Sequence, residues 1–396
     1  MLDPVGNVYN WLMGLLTGWG LATSFAHVLV TFLGIIILIV CAMVLDVFLV
    51  WIERKVVARF QDRLGPNRIG PWGIFQPFAD IIKLLIKEDI TPAGADVVVF
   101  NLAPILSLTA VLLLWAVLPL AGVVYGVDLN VALLYIVAAG AIGTLSIIMA
   151  GWSSNNKFAL VGAYRMVANM ISYEIPMVII LLIPAILTGS MSMLTISRAQ
   201  SQFWFVLVVP LAALVFLISA IAELGRSPFD LNEGESEIVS GFHIEYSGMK
   251  FGLFYAGELL HAFTFGAFIS IMFFGGYNGP GVTQMPILGI FYFFIKAMIG
   301  YWVIMWIKYT VPRIRIDHML YFNWKFLVPL SIAILIMTAI MHKLLSGYGT
   351  PIYITGMLGS NLVLGWITIE VLRAQARKQR HAVEPAAQAI AELAHQ

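Results

Sequence analysis

Long apolar runs alternate with short polar segments along most of this chain, and each run approaches the ~20 residues a helix needs to cross hydrocarbon. They predict spans at roughly 25–50, 99–120, 130–152, 163–187, 203–224, 250–275, 287–311, 326–345 and 352–372, about nine crossings in all. Ahead of the first span, Tyr9, Trp11 and Trp19 stand among small and apolar residues, a pattern suited to an interfacial helix with its aromatics at headgroup level. After Pro77 the period changes. Phe78, Ile81, Ile82 and Leu85 form an apolar stripe while Asp80, Lys83 and Lys87 recur on another face, predicting an amphipathic helix along the membrane surface. The expected fold is therefore an all-α integral membrane protein. It has an interfacial segment (1–24), a transmembrane domain (25–372) and a polar, alanine-rich tail (373–396).

Composition agrees with this reading and removes several alternatives. Of 396 residues, 61% are hydrophobic and 11% charged, far from the quarter typical of soluble domains. The net charge of +1 comes without a basic face or tail of the kind a nucleic-acid partner requires. Cys41 is the single cysteine, so this polypeptide alone cannot make an internal disulfide, a four-thiolate iron-sulfur site or a CxxC redox motif. The opening residues Met1, Leu2, Asp3 and Pro4 lack the basic region of a cleaved signal peptide.

Short loops retain Lys and Arg on the cytoplasmic side during insertion. With the N-terminus outside and the tail inside, nine crossings place all of the 22 Lys and Arg residues in the cytoplasm except Arg198, Lys343 and Lys296, the last within a span. Removing the final span would put the basic residues of the tail on the wrong side.

Three cytoplasmic segments carry information. In the first, Arg63-Leu64-Gly65-Pro66-Asn67-Arg68-Ile69-Gly70-Pro71 sets Gly and Pro where tight turns need them and fixes arginines between those turns. Lipid anchoring with topology-enforcing cations is a sufficient reading of that loop, and of the basic stretch from Lys308 to Lys325. The loop from Ala222 to Lys250 is different, because Glu223, Asp230, Glu233, Glu235, Glu237 and Glu245 face only Arg226 and Lys250. Two readings are open: a solvated acidic turn, or carboxylates drawn into the protein so that they exchange protons near neutral pH.

Ionisable residues inside spans cost about 2.5–3.5 kcal/mol each at the bilayer centre and ordinarily face protein or water. Asp46, Glu174, Glu258 and Lys296 are the clearest cases, with Glu223 and Glu370 near span ends. A proton or ion path and polar helix packing are both open for them. Glu258 and His261, at i and i+3, have the spacing of half a dimetal site; the partner pair is missing, and a buried polar pair with no metal is the expectation. His27, His243 and His342 each stand alone, and an ordinary satisfied histidine is expected at all three.

Three stretches then carry a resemblance: ERKVVARFQDRLGPNRIGPWGIFQPFADIIKLLIKED from Glu53, NMISYEIP from Asn169, and AELGRSPFDLNEGESEIVSGFHIEYSGMKFGLFYAGE from Ala222. They resemble the H-subunit family of bacterial NADH-quinone oxidoreductase, counterpart of the mitochondrial subunit 1 of respiratory complex I. The likeness covers about residues 25–345. It implies a protein of the cell inner membrane, taking part in proton-translocating quinone reduction without a redox centre of its own. Quinone is the implied substrate, with FMN and iron-sulfur clusters held by partner subunits. The implied partners are the peripheral-arm subunit bearing the terminal iron-sulfur cluster, the quinone-site subunit, antiporter-like membrane subunits and lipid. By matching motif, Arg54, Arg59, Arg63 and Arg68, with Asp80 and Lys83 of the surface helix, would shape the quinone chamber and its interface. Glu174, Glu223, Asp230, Glu233, Glu235, Glu237 and Glu258 would form the acidic connection from quinone chemistry to proton movement. Related subunits serve hydrogenases and other donor-driven complexes, and a purely structural anchor for the peripheral arm is a further alternative. The chain departs from the family spelling at Gly225, where Asn is common, and at Asn232 and Gly234, which replace Pro and Ala. Loss of that Pro loosens the turn.

Overall fold

The computed structural model describes residues 4–230 and 238–394. Among them regular structure is helical, and the single β-type contact is an isolated bridge between Pro119 and Tyr125. The helices are α1 (Pro4–Gly18), α2 (Thr23–Phe60), α3 (Gln76–Ile86), α4 (Val97–Trp115), α5 (Ala132–Ser153), α6 (Lys157–Thr188), α7 (Met193–Ala199) and α8 (Pro210–Glu223). They continue as α9 (Gly248–Phe273), α10 (Leu288–Thr310), α11 (Ile316–Phe322), α12 (Val328–Leu345) and α13 (Thr350–Ala394), with a π turn at Asn323–Leu327 joining α11 to α12. Eight helical stretches among the described residues are long and apolar enough to cross a bilayer. The chain is an all-α polytopic membrane protein.

The expected span at 203–224 takes a different form. Pro210, which lacks an N–H and suits a first helical turn, starts α8 late, so the helix has 14 residues. At 1.5 Å per residue it reaches only about 21 Å, short of the ~30 Å hydrocarbon core. Residues upstream are taken up instead by a 3₁₀ turn at Phe205–Leu207 and by the cap around α7. A short helix is tolerated because α8 lies inside the bundle against α6 rather than in lipid. Other boundaries move in both directions. α2 continues ten residues beyond the expected end at 50, which makes Glu53 and Arg54 helical. α4 ends at Trp115, and the chain then folds back through turns.

α9 is the hub. It packs on α10, α4, α2 and α3, and 83% of its most apolar window is buried, against 11% for α2. Its crossing with α10 is set by Gly266 and Gly300: a Cβ on Gly266 would sit 2.6 Å from the Ala297 carbonyl oxygen, so only a bare backbone fits. At the foot of α6, Gly162 does the same for the turn at Gly241, whose Cα would lie 2.6 Å from an added Cβ.

Lys296 belongs to this architecture. Its ammonium donates to the carbonyls of Phe274 (2.8 Å) and Asn278 (2.7 Å) and lies over the Trp204 ring. The cation therefore closes the C-terminal end of α9, where orphan carbonyls and the helix dipole favour positive charge. Of the two readings open for Lys296, this geometry favours packing.

α3 follows the expected stripe in part: Ile81 is half-buried, and Lys83 is exposed although Asp80 is not. Phe78, Ile82 and Leu85 are exposed on the chain's surface, while Asp80 points inward to α2.

Candidate functional site

Directly after α8 the backbone turns through Gly225 at φ 60°, a left-handed conformation that Gly adopts freely and Asn tolerates. The turn delivers Arg226 into the protein with its side chain 1% exposed. Arg226 Nε lies 3.3 Å from Glu258 Oε1 on α9, and Nη1 lies 3.8 Å from Glu53 Oε1 on α2. On its other side, Glu53 Oε1 accepts from Lys308 Nζ (2.9 Å) and Tyr309 Oη (2.6 Å), both on α10. Three helices and a loop are tied by two carboxylates, two cations and a phenol. Burial works against the Arg226 charge, yet Glu53 and Glu258 more than offset it and hold the guanidinium well above its ordinary range.

Next to this cluster, α4, α5, α6, α9, the end of α8 with its following turn and the turn at Phe242–His243 line a partly open cavity of about 100 Å³. Its apolar wall includes Leu114, Met170 and Phe254; its polar groups are Ser107, Glu223, His243, Tyr255, Glu258 and His261. A smaller cavity of about 20 Å³ adjoins it, bordered by Glu174, Glu223 and His261 together with Phe216 and Phe265. Glu223 and His261 border both. Glu223 is 5% exposed and its Oε2 has no hydrogen-bond partner, an expensive position for a charged group with no cation against it. The three acids Glu258, Glu223 and Glu174 thus follow one another away from the charged cluster, Glu223 the most buried of them, separated by spaces large enough for bridging water. Burial pulls His243 below the usual histidine range, and Glu258 opposes that only in part.

The expected Glu258 and His261 pair does not form as such. Both border the larger cavity, but the Glu258 carboxylate is ion-paired with Arg226 instead. Among the described residues no group of three or more His, Cys, Asp or Glu side chains is arranged to hold a metal ion.

The other sequence-derived positions divide. Arg54 pairs with Asp80 and so pins α3 to α2, while Lys83, on α3 itself, lies 3.7 Å from the same carboxylate. Arg59, Arg63 and Arg68 are exposed, away from the cavities, and Arg63 donates to Gln61 at 2.7 Å. Asp230 is half-buried and borders neither cavity. Glu233, Glu235 and Glu237 lie outside the described residues, as do Asn232 and Gly234. Sequence reasoning missed Glu53, Lys308, Tyr309 and His243 as parts of the site. Glu53 offered the one usable signal, an acid seated among the cations that end the first span.

The chain matches the NADH dehydrogenase family over residues 33–339. It is 49% identical to the H subunit of NADH-quinone oxidoreductase from Dehalococcoides mccartyi strain CBDB1 over 290 residues, covering 73% of this chain and 80% of that one. It is 40% identical to the H subunit of the same enzyme from Brevibacillus brevis over 340 residues, 85% of this chain and 99% of the relative. A third relative, the H subunit from Rhodospirillum centenum, is 41% identical over 309 residues, 77% of this chain and 91% of that one.

Proposed function

The chain belongs to the NADH dehydrogenase family, and from that premise we propose that it is the complex I membrane subunit that closes the membrane end of the quinone chamber and couples quinone reduction to proton movement. The observation that carries the coupling is the succession Glu258, Glu223, Glu174 along two adjoining cavities, with Glu223 common to both. Electrons reach a quinone from an iron-sulfur cluster in a peripheral-arm partner. Reduction draws protons, and the field change at the Arg226 cluster reaches Glu258, whose carboxylate lies 3.3 Å from the guanidinium. Glu258 and Arg226 share a salt bridge, so any displacement of one is felt by the other and by Glu53. Glu223, enclosed and uncompensated, is the group that passes a proton between the two water-sized spaces, and Glu174 receives it on the far side.

The N-terminus lies outside and the tail in the cytoplasm of the cell inner membrane, so that the arginine-bearing loop before α3 faces the peripheral arm. The exposed Phe78, Ile82 and Leu85 of α3 then rest in lipid at the chamber mouth.

The test is Glu223→Gln in the assembled complex reconstituted in vesicles, with quinone reduction and vesicle acidification followed together. Turnover should fall by about a hundredfold, the lower end of what a positioned proton-transferring group contributes. Full turnover with unchanged protons per electron would overturn the role of this acid.

A further inference from the structure

Asp46 has no part in the succession of acids above, yet it is as enclosed as Glu53: 5% exposed in the middle of α2, with Oδ1 lacking any hydrogen-bond partner. It sits two helical turns before Glu53. Seven residues bring a side chain back to nearly the same face, about 10 Å along the axis. The same spacing separates Tyr301 from Lys308 on α10, which packs on α2. The two helices therefore present two levels to each other. At one level Glu53 meets Lys308 at 2.9 Å. At the other, Asp46 is matched by Tyr301, which is fully buried and whose hydroxyl also has no partner. The fields of Asp46 and Glu53 both reach that hydroxyl.

We propose that Asp46 is a second proton-binding carboxyl of this membrane protein, tied to Glu53 so that one of the two holds a proton while the other is ionised. The charge balance of the cluster supports it. With Glu53 and Glu258 ionised, their charges cancel those of Arg226 and Lys308, and an ionised Asp46 would add an unbalanced charge with no cation at its own level. Asp46 then keeps its proton. Protonating Glu53 leaves one positive charge in surplus, and ionising Asp46 cancels it. The groups surrounding the pair are Tyr301, Lys308 and Tyr309 from α10, Tyr255 and Glu258 from α9, and Arg226 from the loop; α3 brings Asp80 and Lys83, with Asp80 paired to Arg54 of α2, and α1 brings no charged side chain. Tyr301 stands at the Asp46 level, and the charges of both carboxylates act on its unpartnered hydroxyl.

This goes beyond the quinone-coupling reading and holds whatever the electron acceptor. The experiment uses the full-length chain in lipid nanodiscs and infrared difference spectra collected as pH is stepped. Neither quinone nor partner chains are present, so its result stands apart from the fate of that reading. A protonated-carboxyl band should vanish in Asp46→Asn. In Glu53→Gln its midpoint should move to lower pH by at least about one unit, the coupling expected of strongly interacting sites. In Lys308→Gln, which weakens the positive side, it should move to higher pH. Opposite shifts from the two variants cannot arise from loosened folding, and the Lys308 variant alone decides the matter if Glu53→Gln fails to fold. No band sensitive to Asp46→Asn, or a midpoint indifferent to the neighbouring charges, would overturn the proposal.

Discussion

Tyr309 donates a 2.6 Å hydrogen bond to Glu53 Oε1, joining the end of α10 to a carboxylate 256 residues earlier on α2. The acceptor is 4% exposed, so water cannot replace a lost donor. Tyr309→Phe should therefore destabilise the chain by about 1–3 kcal/mol, the cost of leaving a buried group short of a partner. Thermal unfolding in detergent checks it.

Arg226 holds two carboxylates at once, and its removal leaves Glu258 without its cation while Glu53 keeps Lys308 and Tyr309. Arg226→Met should cost about 3–5 kcal/mol, the usual penalty for breaking one side of a buried ion pair. Arg226→Met combined with Glu258→Gln should recover part of that loss, because the stranded charge is then gone; denaturation of the single and double variants gives the comparison.

His243 gives the fold a dependence on pH. Its imidazole is held below the ordinary histidine range by burial, so the unfolded chain binds a proton more readily than the folded one. Stability from this group is complete above the unfolded value of about 6.5 and is lost as pH falls below it. Melting temperature should drop from pH 7 to 5 in the parent, and the drop should be smaller in His243→Gln.

At the crossing of α9 and α10 the backbones meet through Gly266 and Gly300. Gly266→Ala places a methyl 2.6 Å from the Ala297 carbonyl oxygen, which forces the helices apart. Overpacking of this kind costs about 1–3 kcal/mol. The measurement is again a melt, with Gly140→Ala, where an added Cβ meets nothing within 4 Å, as the variant expected to change little.

Neutralising Asp80 should release α3. Asp80→Asn removes the partner of Arg54 and Lys83, and hydrogen exchange across Gln76–Ile86 should accelerate while the spanning helices stay protected. A partly exposed pair is worth about 1 kcal/mol, so a fewfold change is expected.

The spans and the surface helix were legible in the sequence because each is written locally: an apolar run of the right length, or the stripe of Phe78, Ile82 and Leu85. The acids Glu174, Glu223 and Glu258 were legible for a related reason, since hydrocarbon makes any carboxyl in such a run conspicuous. Their arrangement around two cavities was not, because it depends on how α4, α5, α6 and α9 pack. The Glu53 cluster was less visible still: Tyr309 looks like one more aromatic at a span end, and nothing local links it to the first helix. The late start of α8 had its sign in Pro210, but hydropathy averages across a proline.

The enclosure of α9 bears on how the protein is made. Of the eight stretches long enough to cross a bilayer, this one has the lowest mean hydropathy, and it carries Glu258 and His261. A segment so reluctant to sit alone among acyl chains gains most of its stability from company. It should settle only where α2 and α4 already wait in the membrane and α10 soon follows, so synthesis halted between α9 and α10 is the stage at which the nascent chain is most vulnerable to membrane quality control.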